Sequence, residues 1–305
     1  MENNIITQVE GTYGFSIKSY VPAPRGWWAE TYILDTDKDK YFIKIFKENL
    51  PFEVSLRTSL DIQFQMAEQI KYIPKPIRTR NGTILHTLDN KRVIALYTCI
   101  NGTKYSAKSA CEILNLMVNV YKLDIRCDSI YYFEFYSEKI IKDLKINKYS
   151  TKSKTLTGYM NRNRDFFIKY WNLYEDLVYR VRNKKNKLYL THGDIGVNLM
   201  VDDNEQVFIV DWDSIHLGPI ERDLREYIDF STDIKQLEAI AKNAGLYWEF
   251  DKDYHNYFIL NGIYDDLGHF FYEIDTELPN SEIEMAEKIT GQQQYIDDIE
   301  KKLIL

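Results

Sequence analysis

The apolar and polar positions of the first hundred residues follow a pattern typical of strands. Apolar, β-prone runs at about 18–22 and 28–35 stand on either side of a loop rich in proline and glycine. YFIKIF at 41–46 is a third run, and the polar residues 35–39 separate it from the second. The pattern therefore predicts three strands in succession.

The next segment changes from strand to helical periodicity. Apolar residues recur at helical spacing in 56–73, and Pro74 and Pro76 predict the end of this helix. Two apolar runs within 83–100 then surround the polar turn 88–91, which predicts a hairpin.

Helical periodicity dominates the chain after the breaker Asn101-Gly102. The sequence predicts helices over 105–125, 129–146 and 160–183, a polar surface loop over 146–158, and a short β pair over 187–211 before further helices. The expected fold is α+β and bilobal. It has a small β-rich lobe over 1–98, a hinge near 97–102 and a larger, mainly helical lobe over 99–305.

Composition is compatible with this architecture. The 305 residues suffice for two structural units, and 45% of them are hydrophobic, which fits a folded protein with a sizeable core. Cys99, Cys111 and Cys127 match no zinc-binding spacing and indicate reduced thiols. No signal peptide is visible, and no apolar run approaches the roughly 18 residues that span a bilayer. We therefore expect a cytoplasmic protein without a membrane partner.

The net charge of −7 is unevenly distributed along the chain. Residues 221–280 contain 14 Asp and Glu against 5 Lys and Arg, a balance of −9. An acidic cavity would concentrate a cationic ligand, whereas a solvated helical surface would explain the same charges without a function. Nucleic acid is a poor candidate partner, because no basic stripe with interleaved aromatic residues is present.

Polar residues that suit catalysis cluster where three short apolar runs begin or end. Asp194 and Asn198 lie on the loop between the first two runs, and Asp211 and Asp213 follow the third. A hairpin with its turn at 202–206 would bring these two loops side by side. Turns are rich in Asp and Asn for backbone reasons, but that explanation is weak for a set that also has His-Gly before Asp194.

Such a set of side chains can bind Mg²⁺, which prefers one or two carboxylates and completes its shell with phosphate oxygens and water. Phosphoryl transfer needs this metal and a carboxylate that accepts the proton of the attacking hydroxyl. The arrangement predicts Asp194 as the base and Asn198 and Asp211 as metal ligands.

Three motifs closely resemble those of the aminoglycoside phosphotransferase and choline kinase-like superfamily, whose members are small-molecule relatives of protein kinases. They are HGD-x-x-x-N at 192–198, VDWD at 210–213 and LGPIERDL at 217–224. The resemblance implies a protein-kinase-like fold, ATP or GTP as phosphate donor, and the same roles for Asp194, Asn198 and Asp211. The commonest family spacing has one more residue between the Asp and the Asn, whereas some aminoglycoside-modifying members have the spacing seen here.

The resemblance also implies a lysine that binds the nucleotide phosphates. Lys44 in YFIKIF matches the third-strand lysine of the family, and Phe42 would share its face of the strand. This lysine usually pairs with an acid of the next helix. Asp61 is the best placed candidate, and Glu53 and Glu68 are alternatives.

Other nucleotide contacts leave weaker traces in the sequence. The loop that contains Arg25 and Gly26 corresponds to the phosphate loop of the family, and Arg25 could reach a phosphate. The segment Tyr97–Ile100, which includes Cys99, resembles the hinge whose backbone pairs with a purine.

Two residues near the catalytic positions have less direct roles. We expect His192 to brace the catalytic loop through hydrogen bonds rather than to act as an acid or base. Asp213 could support Asp211, bind a second metal or face the substrate, and Glu221 and Asp223 are expected to be structural.

The substrate is suggested by the acidic segment. In aminoglycoside phosphotransferases, the helices after the metal-binding aspartate build the substrate pocket, and acidic side chains there bind amines. By resemblance, candidates are Asp213, Asp229, Asp233, Asp265 and Asp266, with Tyr264 as an aromatic wall.

The sequence thus predicts an Mg²⁺-dependent O-phosphotransferase that acts on a cationic small molecule, first of all an aminoglycoside or aminocyclitol antibiotic. A metabolic kinase of choline, homoserine or a methylthio-sugar is the alternative enzyme. A non-catalytic kinase-like binding protein is the alternative from another class.

Overall fold

The computed structural model of the protein describes residues 1–23, 29–48, 53–125, 153–185, 187–276 and 281–304. These residues form two compact units. The first contains the described residues of 1–107, 119–125 and Leu190–Leu217, and the second contains Lys108–Val118, 153–189 and the described residues from Gly218 onward.

The first unit is built on a five-stranded antiparallel sheet with the order β1-β2-β3-β5-β4. Its elements are helix α1 (Asn3–Tyr13), β1 (Ile17–Pro22), β2 (Ala29–Thr36), β3 (Lys40–Phe46), helix α2 (Glu53–Ala67), β4 (Leu85–Thr87) and β5 (Val93–Thr98). The three predicted strands, the helix before Pro74 and the hairpin around 88–91 are all present, which confirms the prediction for this part of the chain.

A helix covers each face of this sheet. Ile43 and Ile45 of β3 pack with α1, whereas Phe46 of the same strand packs with Leu56 and Leu60 of α2. This division follows from the alternation of side chains along a strand. Burial of each large aliphatic side chain contributes about 1.5–3 kcal/mol to folding. Phe42 and Lys44 lie on the α2 face, as the strand pattern predicted.

A second, three-stranded sheet joins the segment after β5 to the segment with the candidate catalytic residues. It contains β6 (Gly102–Tyr105), β8 (Leu199–Asp202) and β9 (Val207–Ile209) in antiparallel order. A Cβ atom at Gly102 would lie 2.4 Å from the carbonyl oxygen of Val201, so only glycine allows this close pairing. Strands β7 (Tyr189–Thr191) and β10 (His216–Gly218) form a separate pair.

This sheet explains why the units differ from the predicted lobes 1–98 and 99–305. Residues Leu190–Leu217 group with the N-terminal sheet rather than with the helices that follow them. The physical reason is the pairing of β8 with β6, because this hydrogen-bonded ladder attaches the β8–β9 hairpin to the segment that follows β5.

The second unit consists of helices around an aromatic core. Trp171, Tyr174, Tyr257 and Tyr264 are all buried in it. Most of its helices lie in the later part of the chain. They are α4 (Lys154–Arg162), α5 (Arg164–Arg182), α6 (Glu221–Leu224), α7 (Ile234–Asn243), α8 (Lys252–Thr276), α9 (Ser281–Asp297) and α10 (Ile299–Lys302). Helix α3 (Ala110–Tyr121) comes earlier, after β6.

Several predicted boundaries were wrong. Helix α1 was not predicted, although Ile5, Val9 and Tyr13 have helical spacing and are buried. The helix predicted over 105–125 spans Ala110–Tyr121, because 102–105 pairs as a strand. Of the predicted loop 146–158, residues from Lys154 are helical, with the Ser153 hydroxyl accepting the Leu156 N–H as an N-cap. The helix predicted over 129–146 lies outside the described residues. None of the described helices has the length and apolar character needed to cross a membrane.

Candidate active site

The first site loop runs from the end of β7 to the start of β8. Gly193 has a φ of 85°, a left-handed conformation that glycine adopts without strain. Ile195 is buried, and its carbonyl oxygen accepts the Asn198 N–H at 3.1 Å. The loop is thereby held in a turn on which Asp194 is exposed and Asn198 is half-buried.

Buried His192 connects this loop with the second one. Its Nε2 atom lies 2.8 Å from the carbonyl oxygen of Val210, and its Nδ1 atom accepts the Asp194 N–H at 3.2 Å. A single tautomer satisfies both contacts, with the proton on Nε2. A further bond runs from the Val210 N–H to the Asn198 carbonyl oxygen at 2.9 Å. His192 thus braces the candidate catalytic loop, as predicted.

The second loop begins with Asp211 in a left-handed conformation, with φ 64° and ψ 58°. Trp212 follows and is buried. Its indole N–H donates to the Ile209 carbonyl oxygen at 2.7 Å, and its ring packs edge-on against His192 at 4.6 Å. The 3₁₀ turn Trp212–Ser214 contains Asp213 and packs against α2. The buried indole therefore fixes the direction of the two carboxylates on either side of it.

Both carboxylates bind the ammonium group of Lys44. The Nζ atom lies 2.5 Å from Oδ1 of Asp211 and 2.7 Å from Oδ2 of Asp213. The side chain of Lys44 is only 10% exposed, and its Nζ atom also lies 5.7 Å from the ring centroid of Tyr97. The structure therefore brings the predicted phosphate-binding lysine and the predicted metal-binding aspartate together, although 167 positions separate them in the sequence.

The pKa values of these three groups reflect burial and mutual attraction. Burial alone lowers the pKa of Lys44, but the charges of Asp211 and Asp213 outweigh it and raise the pKa well above its usual range. Burial raises the pKa of Asp213 to about 6 against the opposing charge of Lys44, and repulsion from Asp211 adds to the rise. Burial also acts to raise the pKa of Asp211, but the charge of Lys44 and its hydrogen bond reverse this, and the pKa is lowered. Asp211 is thus the carboxylate that ionises more readily.

The donor set suits a magnesium ion. The Asp211 side chain is 45% exposed and keeps its charge, and Asn198 donates its amide Nδ2 to Asp194, at 2.6 Å from the carbonyl oxygen and 3.1 Å from Oδ2. The Asn198 Oδ1 atom accepts no hydrogen bond from any described residue. An ionised carboxylate and an amide oxygen are oxygen ligands of the kind Mg²⁺ takes, so the residues fit the ion.

The acid predicted to pair with Lys44 from α2 is not found among the described side chains. Asp61 is exposed on α2, and its carboxylate forms no ion pair with a described residue. Glu68 pairs with Lys75 at 3.2 Å instead. The Glu53 side chain lies outside the described part of the chain. The Asp61 prediction fails because the apolar spacing of α2 turns position 61 away from the sheet.

Only some of the other residues that were predicted to contact the nucleotide lie within the described part of the chain. Arg25 and Gly26 lie outside the described residues. Cys99 and Ile100 line a pocket of about 220 Å³ together with the turn between β8 and β9. Tyr97 is buried on β5 on the Lys44 face, so its ring stays a candidate neighbour of the nucleotide.

The candidate substrate residues that follow the second loop divide into three groups. Asp229 accepts the Ser231 and Thr232 hydroxyls, and Asp233 caps α7 by accepting the Gln236 N–H, so both carboxylates stabilise turns. Tyr264 belongs to the aromatic core and donates its hydroxyl to the Phe167 carbonyl oxygen, so it is not a pocket wall. Asp265 and Asp266 are exposed on α8.

A buried carboxylate after the second loop was predicted to be structural and is so. Oε1 of Glu221 accepts the Trp248 indole N–H at 3.0 Å and the Asp251 backbone N–H at 2.8 Å. Burial raises its pKa to about 7. The Trp248 contact could not be predicted from the sequence, because nothing in the spacing of residues 221 and 248 indicates it.

Comparison with solved structures identifies the fold. A spectinomycin phosphotransferase solved with ADP and spectinomycin has a TM-score of 0.74 and 19% identity, and the match covers 97% of each chain. A microcompartment-associated aminopropanol kinase has a TM-score of 0.66 and 14% identity over 99% of this chain and 100% of that one. An amicoumacin kinase solved with AMP-PNP and Ca²⁺ has a TM-score of 0.60 and 13% identity over 97% and 93%. No protein-family model and no curated protein matches the sequence.

The chain therefore shares the protein-kinase-like α+β fold of these solved small-molecule kinases. This confirms the α+β fold that the three motifs implied.

Proposed function

We propose that the protein is an Mg²⁺-dependent small-molecule kinase that transfers the γ-phosphate of ATP or GTP to a hydroxyl group. The observation that carries the proposal is the contact of Lys44 with Asp211, next to a loop in which His192 accepts the Asp194 N–H and the Asn198 carbonyl oxygen accepts the Val210 N–H. A phosphate-binding cation, a metal-binding carboxylate and a candidate base are the parts that phosphoryl transfer requires.

The chain's own residues have distinct roles in this reaction. Lys44 binds nucleotide phosphate oxygens, and Asp194 orients the acceptor hydroxyl and receives its proton. The acceptor oxygen forms a bond to the γ-phosphorus as the bond to the bridging β–γ oxygen breaks, which leaves the nucleoside diphosphate. Asn198 and Asp211 would hold Mg²⁺, which when bound neutralises charge on the phosphates.

The substrate class is a cationic small molecule, most specifically an aminoglycoside or aminocyclitol antibiotic. The acidic balance of 221–280 supports a cationic acceptor, and Asp265 and Asp266, which are exposed on α8, are candidate carboxylates for it. The fold shared with a spectinomycin phosphotransferase supports the antibiotic, whereas the fold shared with an aminopropanol kinase supports a metabolic amino alcohol.

Two measurements test the proposal in order. Thermal unfolding with ATP or GTP and Mg²⁺ should show stabilisation, because a ligand that binds only the folded state raises its stability. No shift with either nucleotide would favour a non-catalytic binding protein.

A nucleotide-consumption screen across aminoglycosides, aminocyclitols and amino alcohols then distinguishes the two enzyme classes. Turnover with an aminocyclitol or aminoglycoside supports antibiotic phosphorylation. Turnover confined to choline or another small amino alcohol supports the metabolic kinase.

A further inference from the structure

We propose that Asp213 is the positioning residue of Lys44, in the role that an acid of α2 was expected to have. This inference rests on the proposed function, because it concerns how the lysine is held for the nucleotide phosphates.

The contact between Asp213 and Lys44 is buried. Oδ2 of Asp213 lies 2.7 Å from Nζ of Lys44, and the two side chains are 21% and 10% exposed. A buried ammonium needs a charged partner, since an unpaired one costs several kcal/mol. Asp213 offers no other side-chain hydrogen bond to a described donor, and its Oδ1 atom is buried without one. The hydrogen bond to Lys44 is therefore the contact that the Asp213 carboxylate makes with the described side chains.

Helix α2 lies beside this contact, but none of its described side chains is a carboxylate that binds Lys44. The helix packs against the turn Trp212–Ser214, so it occupies the place from which an acid could reach Lys44. Its buried polar residues Thr58, Ser59 and Gln63 are all uncharged. Asp61 is exposed, so among the described side chains the carboxylate at Lys44 comes from the turn rather than from the helix.

The two carboxylates at Lys44 differ in exposure, and this suggests a division of roles. Asp211 is 45% exposed and accessible to a metal ion, whereas Asp213 is 21% exposed. When Asp211 turns to a metal, Asp213 would remain on Lys44 and keep the ammonium in place.

The test is a double-mutant cycle on nucleotide affinity, with ADP and GDP as probes and isothermal titration as the measurement. Asp213→Asn should weaken binding roughly tenfold, in the range of coupling energies between contacting residues. The same change in a Lys44→Met background should have almost no effect, because the partner on which it acts is gone. Asp89→Asn, an exposed aspartate of the β4–β5 turn, is the matched control.

Each outcome has a defined meaning. If the wild type binds neither nucleotide, the proposed function fails. If the wild type binds and Asp213→Asn binds equally well, only the present inference fails. A loss that persists in Lys44→Met and disappears when Mg²⁺ is omitted would make Asp213 a metal ligand and overturn the positioning role. A loss in Glu53→Gln together with a normal Asp213→Asn would return the role to α2.

Folding is checked by thermal unfolding without nucleotide. If Asp213→Asn does not fold, the double variant Lys44→Met/Asp213→Asn, in which both members of this pair are uncharged, is compared with Lys44→Met alone. Equal affinities support the inference, and a further loss contradicts it.

Discussion

The Nε2 atom of His192 lies 2.8 Å from the carbonyl oxygen of Val210, and this contact joins the two loops of the candidate active site. The same ring accepts the Asp194 N–H, so the position of the candidate base depends on a neutral, buried histidine. The loop with the candidate metal ligand Asp211 and the loop with the candidate base Asp194 are thereby mechanically linked.

Replacement of His192 should destabilise the protein and reduce turnover together. His192→Phe leaves the Asp194 N–H and the Val210 carbonyl group without their partner, and each unsatisfied buried group costs about 1–3 kcal/mol. We expect a loss of roughly 2–4 kcal/mol in the free energy of unfolding, measured with urea. His86→Phe on β4 is the control and should change stability by less than about 0.5 kcal/mol. Equal effects of the two variants would contradict the bracing role.

Removal of the candidate base should affect the transfer step alone. Asp194→Ala should lower turnover by about two to four orders of magnitude, because the hydroxyl loses its proton acceptor. Nucleotide affinity should stay within about threefold of wild type. Asp194 is exposed and forms no hydrogen bond or ion pair with Lys44 or Asp211. Steady-state kinetics and nucleotide titration give the two values. Near-normal turnover would make the assignment of Asp194 wrong.

Removal of the candidate metal ligand should abolish the effect of Mg²⁺ on nucleotide binding. Asp211→Asn keeps the shape of the side chain but loses the charge that attracts the ion. We expect Mg²⁺ to tighten nucleotide binding to the wild type by at least about tenfold and to leave the variant unchanged. A variant that still responds to Mg²⁺ would assign the metal to another residue.

Ionisation of Glu221 should reduce stability as the pH rises. The pKa of this buried carboxyl is about 7 in the folded protein and near 4.5 in an unfolded chain. Between these values the folded state binds more protons, so the free energy of unfolding falls with increasing pH. The full effect is about 3 kcal/mol between pH 4.5 and 7.

The variant Glu221→Gln isolates this contribution, because it cannot ionise. The stability of the variant relative to wild type should increase from pH 5 to pH 8, as measured by urea unfolding at each pH. A constant difference would show that Glu221 is not responsible.

Local pattern was sufficient to predict most of the fold. Alternation on β3 placed Ile43 and Ile45 away from Lys44, and the polar turn at 88–91 marked the β4–β5 hairpin, because both features depend on neighbouring residues. Strand β6 was missed, since its partner β8 is nearly a hundred positions away and only tertiary pairing forms it.

The candidate site shows the same contrast. Asp194, Asn198 and Asp211 could be selected from one short segment, whereas the partner of Lys44 could not. Helical spacing offered Asp61, but packing of α2 turned that residue outward and the turn after β9 supplied Asp213. Long-range ion pairs depend on such packing and leave no periodic signal.

The left-handed backbone of Asp211 restricts which residues the position accepts. Glycine, asparagine and aspartate tolerate this conformation, and most other residues would be strained there. Only aspartate among these three carries a charge. Backbone geometry and electrostatics thus exclude different substitutes, and together they leave one residue type that satisfies both demands.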